Sequence, residues 1–417
     1  MPKTSKEKNG DDNSPSVSAE YLRPPIDLLE TRATSSDAQG EDHSARIEII
    51  KNVFKSFRLN VEPQGYRQGA AFTRYEFKMP EGINVKKALN YVDDVQMKLS
   101  VKDRVRIVAP ILGKNLIGVE VPNEGRTVVG LKEVLENADR SKEKAGGISF
   151  AVGKDVTGEV ITDDISCAPH YLIAGMTGSG KTVFLNALVV STIMRYSPEE
   201  VRFILVNTKD AGFDKFAGLP HLLAGGVITE PKKALSLLQL MYDEMERRYE
   251  EFENCGEPVY DITDYNEFAV KNAKRKMPRI IFVADEIESL MKGMSGKFQN
   301  QVMKVAMKAR ASGIHLVLAT QKASPNVITG MLKANLPSRV ALKTVSSAES
   351  FLILSEYGAE RLSGNGEMLY RNTRMFEPER YQGAFVSEKE IEKVVAYINE
   401  HNARNAYDEL NDRFSKE

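Results

Sequence analysis

The strongest constraint on this chain is a strand, a glycine-rich loop and a helix written in immediate succession, PHYLIAGMTGSGKTVFLNALVV, residues 169–190. Gly175-Met176-Thr177-Gly178-Ser179-Gly180-Lys181-Thr182 satisfies G-x-x-x-x-G-K-[ST], and its place between an apolar strand and a helix start is the context the motif requires. The glycines let backbone N–H groups converge on a phosphate, and the helix N-terminus adds a field that favours negative charge. Lys181 has the reach for β- and γ-phosphates, and Thr182 offers a hydroxyl to Mg²⁺. A Gly-rich turn between strand and helix would need no such complete pattern.

The rest of the chain from Ile148 repeats this alternation. YLIAG, VRFILVN, RIIFVADE, IHLVLATQ and SRVALKT read as strands, with helices expected over 181–195, 232–253 and 298–311. Apolar runs separated by helices predict a parallel sheet buried on both faces. GEMLYR and QGAFVS read as added edge strands, and a last helix starts near Ser387. Ahead of this lies a small α+β unit. In it RIEIIKNVFKSF and VKKALNYVDDVQMKLS have helical spacing, AFTRYEFKM, VRIVAPI and LIGVEVPN read as strands, and SKEKAGG is a linker.

The expected organisation is a disordered tail over 1–44 with one docking segment, YLRPPIDLLE, then a small α+β domain over 45–140. An α/β, RecA-like P-loop NTPase domain with a parallel-sheet core follows over 141–402, and a polar tail over 403–417. The end, INEHNARNAYDELNDRFSKE, reads as one polar helix.

Hydrolysis needs a metal-ordering carboxylate and a group to orient water. Ile280 to Val283 carry Ala284-Asp285-Glu286 to the end of a buried strand, where Asp285 would hold the Mg²⁺ shell and Glu286 would polarise the attacking water. Gln321, ending the next strand, stands where a nucleotide-state sensor would sit, since ligands gather at strand carboxyl ends; a plain strand-ending Gln is the alternative. Arg310, in VAMKARASG beside Lys304 and Lys308, is by residue type a solvated helix-end charge.

Composition excludes several classes. At 417 residues, two domains plus tails are expected. The longest apolar stretch, Val183 to Met194, falls well short of the ~20 residues that cross a bilayer, so no membrane span is expected. MPKTSKEKNGDD lacks the hydrophobic core of a secretory signal. Cys167 and Cys255 are too few for a disulfide framework or zinc site, which fits a cytoplasmic location. The 57 basic and 58 acidic residues cancel, so there is no overall nucleic-acid footprint. A protein closing around DNA needs positive charge only on its lining, because attraction is local on the scale of the ~10 Å screening length.

With these residues laid out, the chain resembles the motor of the FtsK and SpoIIIE family of double-stranded DNA translocases, from about Tyr21 to about Tyr397. PHYLIAGMTGSGKT, YSPEEVRFILV, GLPHLL, LLQLMYDEMERRYEEF and above all KARASGIHLVLATQ with VITGMLKANLPSRVAL carry the resemblance. GKNLIGVEVPN and VGKDVTGE resemble that family's smaller α domain. The resemblance implies ATP and Mg²⁺ as cofactors, with Lys181, Thr182, Asp285 and Glu286 in the roles given above and Gln321 as sensor. It implies a hexameric ring around duplex DNA, with Arg310 as an arginine finger reaching a neighbouring subunit. Lys322, Lys333 and Arg339 become candidates for phosphate contacts in the pore, each equally readable as an exposed surface charge.

Three departures stand out: VNTKD where the family has Asp-Pro-Lys, Lys-Ala after ATQ in place of Arg-Pro, and TVSSAESF with Ser347 and Phe351 where basic residues are expected. The full cell-division proteins also carry membrane helices and a winged-helix reader, so the chain reads as an excised motor or a naturally short relative. The rival readings are a type VII secretion-like ATPase acting on protein, a conjugative DNA-transfer pump, and a non-hydrolysing nucleotide-dependent scaffold.

Overall fold

A computed structural model describes residues 21–32, 42–209, 212–402 and 408–415, apart from 102, 103, 112, 126 and 293. The expected disordered tail therefore falls mostly outside the described residues. Its docking island does not: 21–32 runs along the larger domain, burying Leu29, with the Tyr21 hydroxyl donating to the Ile193 carbonyl at 3.0 Å. Arg32 pairs with the buried carboxylate of Glu390 at 2.7 Å.

The small unit holds helix α1 (His43–Ser56), strands β1 (Glu62–Gln68) and β2 (Phe72–Lys78), helix α2 (Val92–Leu99), and strands β3 (Arg106–Val108) and β4 (Ile117–Pro122). The strands form an antiparallel sheet in the order β1-β2-β4-β3. Apolar side chains of α1 (Ile50, Val53, Phe54) and α2 (Val95) share one cluster with Tyr75, Phe77, Ile107 and Val119 of the sheet. β1 escapes sequence reading because EPQGYRQ is polar and mostly exposed, with neither alternation nor a β-branched run.

The larger unit opens with α3 (Leu131–Glu136), β5 (Ser149–Asp155), β6 (Val160–Asp164), β7 (His170–Ala174) and α4 (Lys181–Ile193). It continues through β8 (Val201–Asn207), α5 (Pro231–Glu253), α6 (Ile262–Lys271), β9 (Arg279–Asp285), α7 (Ile287–Met291), α8 (Ser295–Lys308) and β10 (Ile314–Thr320). It closes with α9 (Gly330–Asn335), β11 (Ser338–Leu342), α10 (Ser347–Leu354), β12 (Glu367–Arg371), β13 (Glu379–Gly383), α11 (Glu388–His401) and α12 (Asp408–Ser415).

All nine strands of this unit make one sheet in the order β6-β5-β13-β12-β11-β7-β10-β9-β8, with β11, β7, β10, β9 and β8 mutually parallel. Successive residues of β7 go to opposite faces, Tyr171 and Ile173 into a cluster with α3, α4 and α11, Leu172 and Ala174 into one with α5, α8 and α9. That double burial is why the strands read as unbroken apolar runs.

The structure changes three expectations. β12 and β13 are interior strands, continued on their far side by antiparallel β5 and β6, so GEMLYR and QGAFVS do not form an edge. VGKDVTGE, residues 152–159, belongs to β5 and the turn that leads into β6 in the large sheet, and not to the small domain. The C-terminal stretch is two helices: α12 packs Leu410 and Phe414 against the α5 side of the core, and Arg413 pairs with buried Glu244 at 3.2 Å.

The two units are tied by charge. Arg380 of β13 is buried, with its guanidinium 3.6 Å from the Phe72 ring centroid, paired with Glu120 of β4 at 3.4 Å and with Glu367 of β12. Glu120 also takes Arg74 at 2.8 Å, and although burial alone would raise its pKa, Arg106, Arg380 and Arg74 together hold the carboxyl below the usual range.

Candidate functional site

The glycine loop takes its shape from φ values that favour glycine. Gly178 and Gly180 sit at φ 78 and 102°, and a Cβ on Gly180 would lie 2.6 Å from the Gly366 nitrogen. That approach matters because the Gly366 N–H donates to the Ser179 carbonyl at 2.8 Å, closing the loop with the turn before β12. On the other side, the Met176 N–H donates to the Lys343 carbonyl at 2.8 Å, and the Gly175 N–H to the Thr320 carbonyl at 3.3 Å.

Parallel pairing brings the acidic tip alongside. Asp285 stands level with Ala319 of β10, and Thr182 donates its hydroxyl to Asp285 Oδ2 at 3.0 Å. Lys181 forms an ion pair with the same carboxylate, both side chains being buried. Glu286 adopts φ 93°, a region few non-glycine residues occupy and one that costs on the order of 1–3 kcal/mol. Its carboxylate is nearly inaccessible and accepts from the Thr320 hydroxyl at 2.8 Å and the Gln321 N–H at 3.1 Å. Gln321 in turn accepts from the Thr177 hydroxyl at 2.9 Å, so the loop and the tip of β10 are linked by side chains.

A cleft of about 550 Å³ opens over the loop. Met176, Thr177, Gly178, Gly180, Lys181, Thr182 and Gln321 line one end; Gly175 and Ser179 lie behind, Ser179 almost fully buried. The other end is walled by Ala71, Thr127, Val128 and Val129, and by Asn365, Gly366 and the Gln382–Phe385 stretch. Sequence reasoning found none of this second wall. SGNG at 363–366 is legible as a turn, but its place beside the glycine loop is set by β12 and β13 pairing far along the chain.

The other candidates are spread out. Arg310 is exposed before the amino end of β10, a whole strand, about 20 Å, from Gln321 at its carboxyl end. Lys322 is exposed and pairs with Glu288 at 3.5 Å. Lys333 and Arg339 meet at the Ser355 hydroxyl, at 3.1 and 3.4 Å. Among the described residues no cluster of three metal-ligating side chains occurs and no helix is long and apolar enough to cross a membrane.

A glycine loop on a central parallel strand, a buried Asp-Glu tip on its second neighbour and a Gln between them define a P-loop ATPase of the motor type. Two family models match, the FtsK alpha domain over residues 23–123 and the FtsK/SpoIIIE family over residues 130–325. The chain is 41% identical over 388 residues to the DNA translocase FtsK of Clostridium tetani, covering 91% of this chain and 51% of that protein.

Among solved structures, the pCW3 conjugation coupling protein TcpA, monomer form with ATPγS, aligns with a TM-score of 0.56 at 19% identity, covering 85% of this chain and 99% of that one. The cytoplasmic domain of the Thermomonospora curvata type VII secretion ATPase EccC gives 0.57 at 27% identity, covering 66% and 35%. The chain belongs to the FtsK/SpoIIIE family and spans about half the length of the curated relatives it matches.

Proposed function

We propose that this chain is the motor of an ATP-driven translocase of double-stranded DNA, working in the cytoplasm as a ring of six. The observation that carries it is the gathering of the glycine loop, Asp285, Glu286 and Gln321 at one cleft, with Arg310 about a strand's length away at the opposite end of β10. Lys181 and the loop N–H groups would hold the β- and γ-phosphates. The Thr182 hydroxyl and Asp285 carboxylate, two hard oxygen donors already within 3.0 Å, fit the shell of a Mg²⁺ ion, which when bound would neutralise charge developing on the phosphates. Glu286 would orient the attacking water once its carboxylate leaves Thr320 and Gln321, and Gln321 would report the γ-phosphate to the loop through Thr177.

Arg310, a strand's length from the cleft, would complete a neighbour's site and make hydrolysis depend on assembly. Contacts to DNA phosphates rather than bases would make movement independent of sequence. The relatives named DNA translocase support this reading over protein export. Conjugative DNA transfer is a second reading, favoured by the fold shared with TcpA along nearly its whole chain. Displacement of a third strand from duplex DNA tests the proposal: ATPase activity unaffected by duplex, with no strand displaced, defeats it. Stimulation by a peptide in place of DNA would favour export.

A further inference from the structure

Among the exposed apolar residues, Phe351 (47% exposed), Tyr357 (67%) and Val345 (74%) lie at α10 and its two flanks. The rings of Phe351 and Tyr357 stack on one another, with centroids 5.2 Å apart and planes 28° apart. Ser355, the left-handed cap of α10, lies between them in sequence, and its hydroxyl takes both Lys333 Nζ and Arg339 Nη1. Arg339 also stands directly opposite Arg371 across the β11–β12 pair, a like-charge pairing that destabilises a sheet on its own.

Among the described residues none of these three cations makes an ion pair, and the Arg339 Nε is buried without a partner. Burial and then the neighbouring Arg339 push the Lys333 amine down, and burial and Arg371 push Arg339 down. Glu356 is the carboxyl that interacts with Arg371, and burial and then Glu377 push it up while Arg371 and Arg106 pull it down; it forms no ion pair with any of the three cations among the described residues. A patch built this way asks for an anion and, beside it, a flat apolar surface.

We propose that the Phe351–Tyr357 pair is a stacking platform for the unpaired bases of single-stranded DNA, with Lys333, Arg339 and Arg371 holding the adjacent phosphates. This rests on the DNA-motor reading and goes beyond its duplex substrate to a second ligand. A duplex hides its base faces, whereas a single strand offers them, and stacking on an aromatic ring tolerates any base. The platform is also connected to the nucleotide site: the Lys343 carbonyl held by the Met176 N–H is three residues before Ser346, the cap of α10.

The test uses the full chain with three fluorescent probes of equal length, oligo(dT), the same strand without bases, and duplex. The wild type should prefer oligo(dT) to the abasic strand roughly 5- to 150-fold, the range expected for one stacked base. Phe351→Ala with Tyr357→Ala should erase that preference and leave abasic and duplex binding unchanged, while Phe351→Trp should keep it. Lys333→Ala should weaken all three probes. A 2-aminopurine in the strand should be quenched by the wild type and not by the double variant. Equal binding of oligo(dT) and abasic strand by the wild type overturns the proposal. So does a double variant that keeps the preference, or one that loses only self-assembly, which would make the patch a subunit contact. Failure of the wild type to bind any of the three would instead sink the DNA reading itself.

Discussion

Replacing Asp285 by Asn is the substitution most diagnostic of how this site rests without nucleotide. Lys181 and Asp285 have side chains only 3% and 8% exposed and are each other's ionic partner, and Asp285 also takes the Thr182 hydroxyl. Removing one partner of a buried pair costs ~3–5 kcal/mol, and because Asn keeps an oxygen for the Thr182 and Lys181 donors, the lower end, about 3 kcal/mol, is expected.

For a chain of this size that is on the order of a 3 °C fall in melting temperature. Phosphate should then replace the lost anion for Lys181, so ADP measured with a metal chelator present should bind D285N about 100-fold tighter than wild type, the equivalent of about 3 kcal/mol. With Mg²⁺ the order should reverse, because the variant lacks a metal ligand. Thermal unfolding of nucleotide-free protein and titration with a fluorescent ADP measure both effects. A variant that melts with the wild type and takes ADP with unchanged affinity under chelation would refute the competition between Asp285 and phosphate for Lys181.

Other substitutions probe different parts of the molecule. Arg310→Ala and Glu286→Gln chains should each bind ATP and each hydrolyse it at least ~100-fold more slowly, yet a mixture of the two should recover part of the activity, since each supplies what the other lacks; no recovery in a mixed assembly would place Arg310 outside the site. Arg380→Met should cost about 3 kcal/mol or more because Glu367, buried with it, loses its partner, and hydrogen exchange should rise along β2 and β4; unchanged exchange there would mean the units are held by other contacts.

Stability should also fall in acid. Burial pushes His170 down to about 4 and His221 to about 3, so from pH 6.5 downward the unfolded chain binds protons that the folded chain refuses. For Glu244, burial alone would raise the pKa, but Arg247 and Arg248 outweigh it and hold the carboxyl at about 2. Its contribution is present above pH ~4.5 and lost as pH falls toward 2. Urea midpoints measured from pH 7 to 3 should decline in both windows, and His221→Gln should flatten the first; a flat profile from pH 6.5 to 4 would contradict the buried histidines.

The local chemistry was legible because it is contiguous. Eight residues suffice to make the loop, since a phosphate cradle is built from consecutive N–H groups and a helix start. Strands buried on both faces announce themselves as apolar runs. Asp285, Glu286 and Gln321 could be located because parallel strands end on the same side of a sheet, so residues a hundred apart in sequence share one edge.

Other features have no local signature. The polar β1 gives no signal because an exposed strand need not alternate, and β12 and β13 read as edge strands because an antiparallel strand looks alike at an edge or in the interior. The contact of Gly366 with the loop, the second wall of the cleft at Val128 and Phe385, and the hold of Thr320 on Glu286 join segments that are neighbours only after packing. So does the meeting of Lys333 and Arg339 at Ser355. Sequence fixes which backbone groups and charges a segment can offer; which distant segment receives them is settled by the pairing of strands and the burial of side chains, whose energies are spread over the whole core.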